Sequence, residues 1–456
     1  MLDKAKNRGE PKPYMRNISV RWGSFDLSDV QLMPFEPHEH ERYSVQRGDV
    51  VICEGGEPGR CAVWTREEPY YIQKALHRAR CGPNLHPLFL AFLLEHYARS
   101  GALAKRFTGS TIKHLPGEVL STIRVRYPPM AEQRSIVAAI ELHFSRLAAA
   151  VALLERVKAN LKRARASVLK AAVGGRLVPT EAALARAEGR DYEPASVLLK
   201  RILAERHAKW VESGARGRYS QAGSPDPDAL LDLPEGWIAA RLDAIADIQL
   251  GQQRHPDHAA AAVVIPYIRA ANITWAGLDL SDVKAMGFPN PKRYNLEVGD
   301  VLLSEASGSP MEAGKPAIWQ DEIPGACFQK TVLRVRPFEK ASVLPRYLRY
   351  RFLNDCWSGR FAKAAPGVGI VHLTAERMLC WPFPLPPVAE QVRIVAQVDR
   401  RLSVLDALDH SVAANLARCA RLRQSVLKRA FEGRLVPHEP SPVRHDGTPA
   451  QLPDAV

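Results

Sequence analysis

The sequence predicts an α+β protein in which two globular domains stand in tandem, each followed by a long α-helix, with the two helices paired as an antiparallel coiled coil. Three observations support this fold class. A helix-entry phrase occurs twice, an apolar seam with a seven-residue period follows each occurrence, and the regions before both helices contain short β-rich runs. The first two observations define the helices, and the third defines the domains.

The helix-entry phrase shows that the chain is an internal repeat. PPMAEQRSIVAAI begins at Pro128 and PPVAEQVRIVAQV begins at Pro386. The offset of 258 holds without a gap from Pro128 to Pro179, and 24 of these 52 positions are identical to their counterparts. Pro-Pro blocks a preceding helix, whereas Ala-Glu-Gln before an apolar run is a good helix start. Looser matches extend upstream, where PYMRNISVRWGSFDLSDV aligns with PYIRAANITWAGLDLSDV.

Each phrase opens a stretch with apolar residues at every seventh position, which is typical of a coiled-coil seam. The seam consists of Ile140, Leu147, Leu154, Leu161 and Val168 in the first copy and of Val398, Leu405, Val412, Cys419 and Val426 in the second. Each helix has about 40 residues and a length of about 60 Å. Because one apolar seam needs a partner, we predict that the two helices pack antiparallel within the chain.

The regions outside the helices set the domain boundaries. We predict a first domain over residues 1–127 and a first helix over 128–175, followed by a linker with a short basic helix over 176–232. A second domain over 233–385, a second helix over 386–433 and a tail over 434–456 complete the chain. The basic helix is expected near Ser196 to Val211. The second domain opens with LPEGWIAARLDAIADIQLGQQ from Leu233, and the first domain has no counterpart. We therefore expect the first domain to lack its opening strand.

Composition narrows the class of partner. The 63 Lys and Arg residues exceed the 49 Asp and Glu residues, and the net charge of +14 favours a polyanion such as nucleic acid. The seven cysteines form no Cys-x-x-Cys pair, which indicates reduced and mostly buried thiols. We see no apolar run long enough to span a membrane and no signal peptide, so we expect a cytoplasmic protein.

Motifs that would make the chain an enzyme are incomplete. GSPMEAGKP has five residues between its glycines and a proline after the lysine, so it does not match a phosphate-binding loop. No adenine-methyltransferase motif and no glycine-rich loop for S-adenosylmethionine occur. His38 and His40 stand among glutamates, but a solvated charged loop is favoured over a metal site. His114 and His372 match across the repeat and are interpreted as structural. The chain reads as a recognition module without chemistry of its own.

Two diverged domains, each followed by a helix entered by PP-x-AEQ-x-x-IV and left by GRLVP, resemble the specificity subunit of type I restriction-modification systems. The resemblance covers nearly the whole chain. It implies that each globular part is a target recognition domain for one half of a split DNA sequence. It also implies that the helices fix the spacing and dock two modification (methyltransferase) subunits, which methylate adenine at N6, and that restriction (translocase/endonuclease) subunits join them. S-adenosylmethionine, ATP and magnesium are then expected on the partners and no cofactor or metal in this chain.

The best candidates for contacts with double-stranded DNA are basic and hydroxyl residues in loops that correspond between the two domains. They are Arg60, Lys74, Lys105, Arg106, Ser110, Thr111 and Lys113 in the first domain and Ser304, Ser307, Ser309, Lys315, Lys330, Arg360 and Lys363 in the second. For any one of them, an ordinary solvated surface residue remains an equal interpretation. Trp22 and Trp275 also correspond and are interpreted as core anchors.

Three alternatives to an active specificity subunit were weighed. A coiled-coil scaffold for proteins explains the helices but not the charge of +14 or the two diverged domains. A shortened, inactive specificity subunit would follow if the first domain folds poorly. A self-contained restriction enzyme is disfavoured by the missing motifs.

Overall fold

The computed structural model describes residues 7–111, 113–214, 218–225, 232–255, 263–307, 312–364 and 371–437. The chain divides into two compact units, Met1–Arg156 with Val412–Val456 and Val157–Ser411. Each unit contains one mixed α/β domain and a part of each of two 44-residue helices, Met130–Val173 and Val388–Phe431. The predicted fold class is confirmed.

The first domain is built on two small sheets. One contains four strands in the order Gln31–Phe35, Glu10–Met15, Tyr70–Ile72 and Ser44–Val45. The other contains three strands in the order Cys61–Val63, Val50–Cys53 and Leu76–Ala79. A hairpin joins Val20–Arg21 to Ser24–Phe25, and the helices of the domain are His40–Tyr43, Pro87–Arg99 and Gly117–Ser121. Seven consecutive residues of the helix Pro87–Arg99 are buried, and the six apolar ones share a core with Val50, Ile52 and Cys61.

The second domain repeats this arrangement with additions. Its larger sheet has the order Ala246–Leu250, Val332–Pro337, Val301–Ser304 and Pro316–Ile318, and a three-stranded sheet has the order Lys284–Met286, Ile265–Ile268 and Cys327–Phe328. Two-stranded pairs join Ile238–Arg241 to Pro382–Leu385, Ile273–Thr274 to Gly277–Leu278 and Ala306–Ser307 to Val371–His372. Its helices are Leu242–Ile245, Pro291–Tyr294, Pro345–Trp357, Arg360–Ala364 and Ala375–Leu379.

The residues from Leu233 account for the main difference between the domains. In the second domain they supply Ile238–Arg241 and the edge strand Ala246–Leu250. The corresponding sheet of the first domain has three strands instead of four in the part of the chain that the structure describes. That the first domain lacks its opening strand stays a prediction.

An ion pair at corresponding positions braces each domain. Arg80 donates through Nε and Nη2 to the two carboxylate oxygens of Asp49, both at 2.8 Å. Arg336 does the same to Asp300 at 2.7 Å and 2.7 Å. Asp49 and Asp300 are 1% and 0% exposed, so each buried carboxylate has a bidentate cation. The two domains therefore share their internal supports as well as their order of strands.

The glutamine of the repeated Ala-Glu-Gln phrase explains why that phrase occurs twice. Gln133 is fully buried, and its Oε1 accepts from the backbone N–H of His86 at 2.8 Å. Its Nε2 donates to the backbone carbonyl oxygens of Asn84 and Pro128, both at 2.8 Å. The side-chain amide thus ties the first turn of the long helix to the strand-helix junction of the domain before it.

Gln391 makes the corresponding three bonds in the second domain. Its Oε1 accepts from the N–H of Leu344 at 3.0 Å, and its Nε2 donates to the carbonyl oxygens of Ser342 at 2.9 Å and Pro386 at 3.0 Å. All partners of both glutamines are backbone groups. We call this arrangement the glutamine clamp.

The long helices run antiparallel to each other within each unit. In the first unit, Ile136 and Ile140 share a core with Leu427 and Ala430, and the Arg423 guanidinium lies 3.7 Å from the ring centre of Phe144. In the second unit, Leu169 shares a core with Val398, while Arg165 pairs with Asp406 at 2.8 Å and with Asp409 at 3.3 Å. Rising residue numbers on one helix meet falling numbers on the other in both units.

Two helices occupy the segment predicted as a linker. The predicted basic helix is present as Ala195–Glu212, with Leu198 and Ile202 fully buried in the core of the second domain. A shorter helix, Glu181–Glu188, was not predicted, and Thr180 caps it by accepting from the N–H of Ala183 at 3.2 Å. The segment is therefore part of the second domain's core and not only a connection.

A buried pair of carboxylates joins the shorter helix to the second long helix. Glu390 is fully buried and accepts from the N–H of Glu181 at 2.8 Å and from Trp237 Nε1 at 2.9 Å. Burial raises the pKa of Glu390. Burial also opposes ionisation of Glu181, but ion pairs with Arg190 at 2.7 Å and Arg393 at 2.6 Å outweigh it and lower the pKa of Glu181 below 4.5.

The substitution Arg393→Gln is expected to destabilise the second unit by about 2 kcal/mol near pH 7.5, because it leaves two close carboxylates with one remaining cation. A carboxyl with a lowered pKa in the folded state stabilises fully above its unfolded pKa, and that contribution disappears as the pH falls through the lower, folded pKa. The loss should therefore be full at neutral pH and shrink as the pH falls below 4.5. Urea denaturation at several pH values measures it, with the exposed Arg400→Gln on the same helix as control. An equal loss at every pH would contradict this assignment.

Candidate nucleic-acid interface

Corresponding glycine turns follow the central strand of each domain and set the position of a basic residue. Gly59 has φ +87° and Gly314 has φ +77°, a conformation that favours glycine. A Cβ on Gly314 would also lie 2.4 Å from Phe361 Cδ2. Each glycine is followed by a basic residue, Arg60 or Lys315. The turns therefore hold the two cations at equivalent places.

These two cations and Ser304 are mostly enclosed. The Arg60 side chain is 15% exposed, donates to the carbonyl oxygen of Asn17 at 2.9 Å and pairs with Glu57 at 3.0 Å. The Lys315 side chain is 14% exposed and lies 3.8 Å from the Glu312 carboxylate. Ser304 is buried, donates to the carbonyl oxygen of Glu312 at 2.9 Å and accepts from the N–H of Lys315 at 3.0 Å. Their contacts hold the shape of the turns.

Each of the two corresponding tryptophans contacts a residue of its glycine turn. Trp22 is half-buried and donates from Nε1 to Glu57 at 2.7 Å. Trp275 is 37% exposed, with Lys315 Nζ at 5.6 Å from its ring centre and the ring of Trp357 at 6.2 Å. The interpretation of Trp275 as a core anchor is wrong, because more than a third of this residue is exposed and its ring lies against Lys315 at the edge of the domain's core. Each domain thus carries an aromatic residue, a glutamate and a cation together at one glycine turn.

A glutamate and a histidine also meet at corresponding positions. His372 Nδ1 lies 3.0 Å from Glu305 Oε1, and His114 Nδ1 lies 4.0 Å from Glu54 Oε1. The residue after each histidine donates its N–H to the carbonyl oxygen of that glutamate at 2.7 Å, from Leu115 in one domain and Leu373 in the other. The histidines were singled out in the sequence, but their glutamate partners were missed. The shared Cys/Ser-Glu after each central strand was the available signal.

In the first domain the histidine closes a short hairpin. The backbone groups of Thr108 and His114 exchange two hydrogen bonds of 2.9 Å and 3.0 Å. Between them, Ser110, Thr111 and Lys113 are exposed. Lys113 Nζ donates to the carbonyl oxygen of Gly109 at 2.9 Å, which braces the turn. We call residues 108–111 together with 113–114 the exposed hairpin. Its counterpart over 366–372 lies mostly outside the described residues.

The remaining candidate residues are placed as follows. Lys74, Lys105, Arg106, Lys330 and Lys363 are exposed. The Arg360 guanidinium pairs with Asp355 at 3.2 Å and lies 5.4 Å from the ring centre of Trp381, so it supports the core edge. Ser307 ends a two-residue strand, and Ser309 lies outside the described residues. Whether any of them contacts DNA stays a prediction.

The predicted seam residues all lie in the buried or half-buried classes. Ile140, Leu161, Val398 and Val412 are buried, and Leu147, Leu154, Val168, Leu405, Cys419 and Val426 are half-buried. Large apolar side chains outside the seam, among them Leu142, Leu153, Val404, Leu408 and Leu422, are exposed. Leu142 and Leu153 correspond to Arg400 and Ser411, so the outer surfaces of the two helices differ in chemistry.

The apolar content of the first long helix exceeds the sequence expectation. Met130–Val173 is long and apolar enough to cross a membrane by length and composition, with a window of mean hydropathy 1.7 that is 17% buried. The expectation that no stretch reaches that criterion was wrong, because alanines accompany the seam leucines. The seam explains part of this apolar surface through pairing with the second long helix. The rest of this apolar surface is exposed.

Chemical groups for catalysis are scarce at these turns. No group of three or more His, Cys, Asp or Glu residues that could hold a metal ion occurs within the described ranges. Burial raises the pKa of Cys327 to about 11 and of Cys81 to about 12. Thiolate nucleophiles are therefore disfavoured at these positions near neutral pH.

Comparison with known proteins finds similarity to specificity subunits of type I restriction enzymes. The chain is 22% identical over 440 residues to the type I restriction enzyme EcoKI specificity subunit of Escherichia coli K12, covering 93% of this chain and 82% of the relative. It is also 22% identical over 438 residues to the StySPI specificity subunit of Salmonella potsdam, with the same two coverages, 93% and 82%. No family model matches. Over nearly its whole length the chain is thus similar to type I restriction enzyme specificity subunits.

A solved structure is similar in fold to this chain. A chain described under the assembly and conformational transition of the type I restriction-modification system superposes with a TM-score of 0.63 at 19% identity. The match covers 95% of this chain and 94% of that one. At this identity the likeness concerns the fold of the chain.

Proposed function

We propose that this chain is the DNA-recognition subunit of a type I restriction-modification complex, with each domain reading one half of a split target. The observation that carries the proposal is that the two domains share corresponding structural groups but differ in an exposed loop. Both domains keep the glycine turn, its cation and tryptophan, and the Glu-His pair, whereas GSTIK in the exposed hairpin corresponds to GVGIV. The shared groups hold two equivalent scaffolds, and the differing exposed loops on them suit different base sequences.

The charge of the chain supports a DNA partner. Its excess of 14 positive charges attracts phosphates and makes affinity fall as salt rises, because counterions are released on binding. Lys74 and Lys330 are exposed at corresponding positions, where they are suited to phosphate contacts that carry no sequence information. The protein scaffold alternative gives no reason for this salt dependence.

The long helices are proposed to set the spacing of the two half-sites and to bind two modification subunits. The exposed leucines outside the seam support a protein partner on the helices, since apolar side chains gain free energy when a partner covers them. We expect S-adenosylmethionine, ATP and magnesium to belong to the modification and restriction subunits, with this chain non-catalytic and the complex in the cytoplasm. Adenine methylation then requires a partner that takes the base out of the stack.

Sequencing of native host DNA for N6-methyladenine tests the function. A split motif with a fixed gap should be methylated when the gene is present and unmethylated when it is deleted, and returning the gene should restore the methylation. Deletion of an unrelated gene is the control. Unchanged methylation, together with salt-independent DNA binding of the purified complex, would exclude the proposal and leave the scaffold or an inactive subunit.

A further inference from the structure

A cavity of about 690 Å³ lies in the second unit between the helix Ala195–Glu212 and the strands Ala246–Leu250 and Val332–Pro337. None of the residues predicted to contact DNA lines it. It is large enough for a small organic ligand, whose sites in proteins usually measure a few hundred cubic ångströms. Its walls combine cations with aromatic rings.

The cations of the cavity outnumber its available carboxylates. Arg206, Lys209 and Arg218 line it together with Arg336 and Asp247. Asp247 pairs with Arg334 at 2.6 Å, outside this set, and Arg336 is engaged by Asp300 at 2.7 Å. Lys209 has a carboxylate, Glu205, at 3.6 Å. Two cations, Arg206 and Arg218, therefore remain without a carboxylate among the described residues.

Aromatic rings form the other half of the wall. Trp210 and Tyr219 have ring centres 5.5 Å apart at an interplanar angle of 62°. The Arg206 guanidinium lies 5.0 Å from the ring centre of Tyr219 and 5.6 Å from that of Phe338, and it donates to the Tyr219 hydroxyl at 2.7 Å. These contacts fix the rings and one cation before any ligand arrives. The planar ring of a ligand could stack on these aromatic side chains, and an anionic group of the same ligand could bind the guanidinium.

We infer that this cavity binds a nucleoside phosphate. Aromatic side chains stack on bases of any sequence, and arginine forms paired hydrogen bonds with phosphate oxygens. A simple anion would not use the rings, and an uncharged aromatic compound would not use the two unpaired arginines. The nucleoside phosphate can be a free nucleotide or one residue of a nucleic-acid strand. This inference goes beyond the proposed function and does not depend on it.

Calorimetric titration of the full chain with ATP, AMP, adenosine and tripolyphosphate tests the inference. We expect saturable binding of ATP and AMP, and weaker binding of adenosine and tripolyphosphate, because each of these lacks one half of the ligand. Arg218→Ala should weaken ATP binding about tenfold, which is the usual effect of removing a hydrogen bond to a charged group. Trp210→Ala should reduce the advantage of ATP over tripolyphosphate about tenfold.

Lys200→Ala is the matched control. Lys200 is an exposed cation on the helix Ala195–Glu212, and its side chain does not line the cavity. It should leave ATP affinity unchanged. A single-stranded oligodeoxynucleotide that competes with ATP and binds more tightly would identify the source as a strand, with the Arg218 effect retained. Absence of saturable binding of both nucleotides up to about 5 mM, or equal losses in Arg218→Ala and Lys200→Ala, overturns the inference.

Discussion

Replacing Gln391 by leucine is expected to lower the free energy of unfolding of the second unit by about 3 kcal/mol. The change removes three hydrogen bonds and leaves the N–H of Leu344 and two carbonyl oxygens buried without partners. Each unsatisfied buried group costs about 1–3 kcal/mol, partly offset by the apolar replacement. Urea denaturation measures the total loss, and hydrogen exchange of the Leu344 amide reports the local opening.

Two variants sharpen this experiment. Gln133→Leu should produce a similar loss in the first unit, because its three bonds are equivalent. Gln424→Leu replaces an exposed glutamine of the second long helix and should change stability by less than about 0.5 kcal/mol. If Gln391→Leu were no worse than Gln424→Leu, the clamp would not hold the domain to its helix.

Changing Ser110 and Thr111 together to alanine is expected to alter one half of the methylated sequence and leave the other half intact. Both side chains are exposed on the exposed hairpin, whose ends are fixed by the Thr108–His114 hydrogen bonds. Loss of a good base contact costs about 1–3 kcal/mol of discrimination, so methylation at the native half-site should fall about tenfold or more relative to its variants. Sequencing of N6-methyladenine in host DNA reads both halves at once.

The unchanged half provides an internal control for this prediction, which rests on the proposed function. Ser135→Ala, at an exposed serine of the first long helix, should leave both halves intact. Simultaneous loss of both halves in the Ser110/Thr111 variant would indicate failure of the whole subunit. An unaltered motif would show that the hairpin does not read DNA.

The repeat and the helices were accessible from the sequence because their signals are local and periodic. The offset of 258 aligned the two clamps, and the seven-residue period found the buried side of both helices. The role of Gln133 was not accessible, since its partners His86 and Asn84 lie more than 40 residues away. The periodicity of apolar residues predicts which face of a helix is buried. It does not predict which distant backbone groups will contact that face.

The candidate interface was predicted less well, because residue type does not determine exposure. Arg60, Lys315 and Ser304 have the chemistry of DNA contacts, but the fold uses them to hold its turns. Trp275 has the chemistry of a core residue, and the fold leaves it 37% exposed. Glu54 and Glu305 stand at corresponding places in the sequence, but nothing local in the sequence pairs them with the two histidines.

The glutamine clamp has a consequence for how such a chain can change. Its three bonds reach only main-chain atoms, so it does not depend on the side chains at the junction, and indeed His86 and Leu344 differ, as do Asn84 and Ser342. Any domain that ends in the same main-chain geometry could be joined to the same helix. The glutamine clamp would therefore allow one domain to be exchanged for another without changes in the sequence of the long helices.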